Sequence, residues 1–207
     1  MTASEIKNIT QKFLSKHSAE ISYKLYPFGE KVCCQGERTA SKIYIVKEGV
    51  FKIGKVDTPE FTNTLGFCFE GDIRAPLGIF IPNVQSLYEI KSIENSLVQC
   101  NSLYEIPLEQ WNAFVAEDET LNQLLINIFC NNWNNGMVFL ATLRQNRKMK
   151  ELFYKMYDTR HPVLISGIAD EYIAEFFGIP VKSYKRMYND KLKLERSKKE
   201  KAAKEII

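Results

Sequence analysis

The spacing of apolar positions changes along the chain, and each change predicts a different kind of element. In residues 3–17, Ile6, Ile9 and Phe13 recur at helical steps among polar neighbours, which predicts an amphipathic helix. From 21 to 106 the pattern becomes short runs rich in Val, Ile, Phe and Tyr, broken by Gly29, Gly36, Gly49, Gly54, Gly66, Gly71 and Gly78. Such punctuation reads as many short strands with tight turns. Residues 42–46 are expected as a strand, Glu48 and Gly49 as its turn, and 50–53 as the returning strand. Regular short strands of this kind argue for a barrel or sandwich.

Helical spacing returns after residue 106. Pro107 can open a helix, where a missing N–H costs nothing, with Trp111, Phe114 and Val115 as its buried face. Residues 119–145 lack proline and place Leu121, Leu124, Leu125, Ile128, Phe129, Trp133, Met137, Leu140 and Leu143 at steps of mostly three and four. That predicts one helix spanning roughly 40 Å at ~1.5 Å per residue. Its apolar face is wider than a bare coiled-coil stripe, so it is expected both to rest on the strand-rich region and to pair with a second copy. The expected dimer contacts are Leu121, Leu125, Ile128, Trp133, Met137 and Leu140; Gly136 is a weak point. Asn146 could cap a further helix through Met149, Leu152, Phe153, Met156 and Tyr157, leaving 144–147 as a candidate hinge.

Residues 168–192 carry the most informative pattern. A first helix would bury Ile173, Ala174 and Phe177, and Ala174 is small where two helices must approach. Gly178 sits at the turn, Ile179 plugs the space between the helices, and Pro180 can open the second helix. Tyr184, Met187 and Tyr188 would hold that helix on the domain, leaving Lys182, Ser183, Lys185, Arg186 and Asn189 on more exposed faces. This is the arrangement of a helix-turn-helix, whose second helix enters the DNA major groove. Lysine and arginine suit that role because phosphates are anionic and guanine presents two acceptors. An ordinary αα-corner is the plainer alternative.

Charge sharpens this picture. Between Lys182 and Lys204, ten basic residues face three acidic ones, so a chain of net charge +3 carries +7 there and −4 elsewhere. A positive end on an acidic body suggests a polyanion partner, although a solvated tail has the same composition. The cysteines, Cys33, Cys34, Cys68, Cys100 and Cys130, are odd in number with no CxxC, so they are expected as buried apolar side chains rather than a disulfide framework. An iron–sulfur cluster would need four well-placed thiolates. Only His17 and His161 could serve a metal site or a catalytic triad, and no metal site is assigned. Paired carboxylates at telling positions, a nucleophile with its base, and a phosphate loop are all lacking, so no catalytic residue is assigned and an enzyme is not expected. No apolar run approaches the ~20 residues of a membrane span. The first 17 residues hold no apolar signal core, and a cytoplasmic protein is expected.

With these motifs in place, the chain resembles the Crp/Fnr family of bacterial transcription regulators over nearly its whole length. The resemblance rests on Phe28-Gly29-Glu30, Gln35-Gly36-Glu37, residues 43–50, Glu70-Gly71-Asp72-Ile73, and the Ile173, Ala174, Gly178 pattern, with Arg186 where the family usually keeps an arginine. It implies an α+β fold: an N-terminal double-stranded β-helix (a β-roll, cyclic-nucleotide-binding-like) with flanking helices, a long dimerisation helix, and a C-terminal winged-helix-type helix-turn-helix domain. The corresponding division is a sensor domain at 1–145 and a DNA-binding domain at 146–207. It further implies double-stranded DNA, a second copy of the chain and RNA polymerase as partners, and Lys182, Ser183, Lys185, Arg186 and Asn189 as DNA-binding residues.

The chain departs from the family at two places. Cyclic-nucleotide binders carry Gly-Glu-Leu and a downstream Arg-Ser or Arg-Thr pair; here the matching positions are Ala75-Pro76-Leu77 and Ser86-Leu87. A phosphate buried without a cation would carry a large desolvation cost. Cyclic AMP in the usual mode is therefore not expected; no cofactor is assigned, and Arg74 is the nearby candidate cation of the effector pocket. On the second helix, Pro180-Val181-Lys182-Ser183-Tyr184-Lys185-Arg186 puts lysine where many members have glutamate, so a different operator is expected. A β-roll sensor or scaffold acting through protein–protein contacts stays open as the rival reading, as does a DNA-binding protein without an effector.

Overall fold

A computed structural model of the chain describes residues 3–36, 42–58, 61–75, 85–86, 88–130, 149–159 and 165–204. Among the described residues, helix α1 (Ala3–His17) leads into eight strands: β1 (Tyr23–Tyr26), β2 (Lys31–Cys33), β3 (Lys42–Glu48), β4 (Phe51–Thr58), β5 (Phe61–Cys68), β6 (Ile73–Arg74), β7 (Glu89–Ser92) and β8 (Asn101–Pro107). Helix α2 (Leu108–Glu117) follows Pro107, which holds the N-cap position. Helix α3 covers 120–130 of the described residues. Then come α4 (Met149–Thr159), α5 (Asp170–Phe177) and α6 (Val181–Lys204). The strands form two four-stranded sheets, ordered β1-β8-β3-β6 and β2-β7-β4-β5, and every pairing is antiparallel.

Strand alternation explains how one roll supports three cores. Successive side chains point to opposite faces. On β3, Tyr44 and Val46 join Phe51, Cys68, Ile90 and Leu103 between the sheets, while Ile43 and Ile45 pack outward against α1, α2 and α3. The second sheet behaves likewise: Phe51 and Cys68 point inward, and Val50, Phe67, Phe69 and Ile93 pack outward on α4, α5 and α6. The roll is therefore covered by a helical layer on each side. Asn101 ties its corner: its side chain accepts from the Val50 N–H at 3.1 Å and donates to Val50 O and to Ile93 O, both at 2.8 Å. Gly49 turns beside it with φ +90°, and a Cβ there would lie 1.9 Å from Asn101 Oδ1.

Several sequence expectations change. Gly54 and Gly66 are not turns; they pair within β4 and β5 next to a register shift between Ile53 and Gly54, where an unpaired extra residue bends the strand. Gly78 lies outside the described residues. Cys33 and Cys68 are buried as expected, but Cys34 and Cys100 are half-buried and Cys130 is exposed on α3; none of the five is joined in a disulfide. Asn146, the 144–147 hinge, Gly136 and the 145/146 boundary also lie outside the described residues. Helix α6 runs unbroken to Lys204, because residues 191–204 contain neither glycine nor proline and are rich in the strong helix formers Lys, Glu, Leu and Ala.

Candidate nucleic-acid interface and roll interior

Helix α5 buries Ile173, Ala174 and Phe177, the residues its spacing predicts. Gly178 closes it in the left-handed conformation, φ 62° and ψ 35°, and its N–H reaches back to the carbonyls of Ala174 and Glu175. That geometry is easy only without a Cβ. Ile179 N–H donates to Ala174 O at 3.0 Å, which brings the chain round. The carbonyl of Pro180 then accepts from Ser183 and Tyr184, so the proline stands just ahead of α6 and opens it.

Helix α6 has two faces. Tyr184 is buried, and Met187 and Tyr188 pack on the same cluster. Phe153 of α4 meets Tyr184 edge-on at 5.5 Å and Phe177 at 5.8 Å. Burial, helped by Asp170, pushes the Tyr184 hydroxyl well above the usual phenol range, and burial with Glu195 pushes Tyr157 up to about 12. Both phenols stay neutral against the helix. Lys191 is the charged member of this face: its side chain is 6% exposed, 2.5 Å from Asp158, and lies over the rings of Tyr154 and Tyr157. Sequence reasoning placed Lys191 with the solvated tail, since nothing local marks a lysine that a distant aspartate will bury.

On the opposite face Lys182, Lys185, Arg186 and Asn189 are exposed and Ser183 is half-buried. The structure brings all five candidate DNA-binding residues onto one accessible helix. Lys185 reaches Asp170 at 3.2 Å, but both groups are solvated, and such pairs contribute roughly 0–1 kcal/mol. The first turn of α6 carries no carboxylate, so the positive end of the helix dipole is unopposed by its own side chains.

Within the roll, Arg74 donates from Nε to Cys68 Sγ at 3.2 Å and from Nη1 to the Ile73 carbonyl at 3.1 Å, with Asp72 at 4.0 Å. Burial works against its charge, yet Cys68 and Asp72 hold its pKa above the ordinary arginine range. Ser86 is buried and donates to the Tyr88 carbonyl at 2.6 Å, while the Tyr88 hydroxyl donates to Ala75 O at 3.1 Å. Tyr88 thus joins two of the candidate effector positions, and the sequence pattern held no sign of it. Pro76, Leu77 and Leu87 lie outside the described residues. Among the described residues no cluster of three His, Cys, Asp or Glu could hold a metal ion.

The expected dimer contacts need correction. Leu121 and Leu125 are buried in the chain's own roll-facing cluster, and Ile128 packs against it. The stripe at 121, 124, 125 and 128 was legible, but spacing alone does not say which surface a stripe meets. Ile126 and Phe129 instead face outward, 44% and 43% exposed. Trp133, Met137 and Leu140 lie outside the described residues.

No family model matches the chain, and no curated protein matches its sequence. Solved structures do match it. FixK2 from Bradyrhizobium japonicum superposes with a TM-score of 0.63 at 12% identity, covering 82% of this chain and 83% of that one. The c-di-GMP responsive global regulator CLP from Xanthomonas campestris gives 0.63 at 14% identity, covering 87% and 90%. Thermus thermophilus catabolite activator protein gives 0.53 at 13%, covering 86% and 82%. At these identities the likeness is one of fold: the chain has the α+β, β-roll fold of Crp/Fnr-type regulators.

Proposed function

We propose that the chain is a sequence-specific DNA-binding transcription regulator that acts as a homodimer, and that it is not an enzyme. The observation that carries this is the helix-turn-helix of α5 and α6, which packs on a β-roll and turns Lys182, Lys185, Arg186 and Asn189 outward. Residues 1–145 form the sensor and 146–207 the DNA-binding unit. A second copy would pair through the outward side of α3, beginning at Ile126 and Phe129; three-four steps in sequence lead on to Trp133, Met137 and Leu140. Each recognition helix then enters one major groove, with half-sites ~34 Å apart on a roughly palindromic operator. RNA polymerase is the further partner, and the cytoplasm the place of action. Among the described residues no helix is long and apolar enough to cross a membrane. The usual cyclic-nucleotide cassette is degenerate. Arg74 is already held by Cys68 and a backbone carbonyl, so cyclic AMP in the family's usual mode has no ready anchor. A signal in the roll would favour one of two arrangements of the reading heads.

The test is selection of bound duplexes from a random pool, with and without cyclic AMP, across a salt series. A palindrome should be enriched, its affinity should fall steeply with salt, and the nucleotide should change neither. Enrichment only with cyclic AMP would reverse the reading of the cassette. No enrichment and no salt dependence would sink the regulator and favour protein docking through the C-terminal helices.

A further inference from the structure

The basic side of α6 continues far beyond the turns that reach base edges. At 100° per residue, Lys182, Arg186, Asn189, Lys193 and Arg196 fall on one side of the helix, opposite Tyr184, Tyr188 and Lys191. All five are exposed. Two of the helix's three carboxylates are directed elsewhere. Asp190 lies 2.6 Å from Lys150 of α4, and Glu195 turns toward Lys191 on the packed side at 3.8 Å. Going from Lys182, the first carboxylate on the basic side is Glu200.

Length decides what this stripe can touch. The 24 residues of α6 make a rod of about 36 Å, and Lys182 lies about 21 Å from Arg196 along it. A major groove is ~12 Å wide and winds around the duplex, so a straight rod stays at base depth for only its first few turns. We infer that the second half of α6 leaves the groove and lays Lys193 and Arg196 on the phosphate backbone flanking each half-site. There the helix would clamp the backbone beside the bases that its first turns read. The inference rests on the DNA-binding reading. It assigns the two residues to positioning and affinity, and leaves base choice to the N-terminal turns.

The experiment uses the full chain and the duplex selected above, with flanks long or trimmed to the half-sites. The double variant Lys193→Gln/Arg196→Gln removes both charges from exposed sites while keeping a good helix former. It should lower the slope of log affinity against log salt by about 1.8, roughly 0.9 for each phosphate that is no longer neutralised. It should select the same sequence as the parent and be indifferent to flank trimming, which weakens the parent. Arg186→Gln, the control within the groove, should instead relax the sequence preference. An unchanged salt slope in a double variant that still binds would overturn the flank contact and leave the regulator standing. Failure of the parent to select any duplex would remove both.

Discussion

Glu105 of β8 shows what one side chain contributes and how it was hidden. It accepts from Lys42 Nζ at 2.5 Å and from the Tyr26 hydroxyl, so it clips β1 and β3 to the strand between them. Burial opposes its charge, but the hydrogen bonds from Lys42 and Tyr26 outweigh burial and hold its pKa below the ordinary carboxylate value of 4.5. A depressed folded-state pKa gives stability that is complete above the unfolded pKa and is lost as pH falls through the folded one. Glu105→Gln should therefore be less stable than the parent at neutral pH. The gap should close as pH drops below about 4.5. Urea unfolding of both proteins across the acid range measures it; a gap that persists in acid would deny the carboxylate this role. Nothing in the alternation of β8 announces the clip, because its partners lie 79 and 63 residues away. Asn101 and Tyr88 were invisible for the same reason: each acts through a tertiary contact, and period and propensity register only local order.

At the scale of elements the sequence was more readable. The helices at α1, α2 and α5 and the strand pair β3 and β4 follow from apolar spacing and turn residues, which act over a few positions. The helix-turn-helix was legible because each of its parts, small Ala174, left-handed Gly178 and Pro180, has a local physical reason. Gly178→Ala tests the sharpest of these. No atom lies within 4 Å of the added methyl, so the cost is purely of backbone conformation, about 1–2 kcal/mol by denaturant unfolding. A neutral result would mean that the turn is not held at φ 62° in solution. The stripe through Leu121 and Leu125 was legible as apolar spacing, but not that the chain buries these two in its own roll-facing cluster.

Taken whole, the molecule is a roll between two helical layers, and the layer containing the reading helix shares a core with the second sheet. Glu175 of α5 fastens that layer: it accepts from the Thr64 N–H at 2.9 Å and sits 3.5 Å from Lys52 Nζ. A second fastening joins Ser96 N–H to Gly167 O at 3.0 Å. The Lys52 side chain is 7% exposed and that of Glu175 31%, so removing the glutamate strands the more buried charge. Glu175→Ala should speed amide hydrogen exchange at Thr64, while amides within α5 and α6 keep their protection. Equal loss throughout the helices would indicate that the layer unfolds rather than lifts.

The same face has a history during synthesis. Val50, Phe67, Phe69 and Ile93 are made well before the helices that cover them, and at ~5–20 residues per second the cover follows after on the order of several seconds. An uncovered apolar sheet invites other chains, and a charge set within it discourages them. Lys52 is that charge, and it meets its counterion only when α5 arrives. Lys52→Leu should therefore cost little once the chain has folded, because Glu175 keeps a third of its side chain in water, and yet reduce the fraction of newly made protein that stays soluble. Comparing unfolding of the purified variant with its soluble yield separates the two effects: this lysine guards the nascent chain more than the finished one.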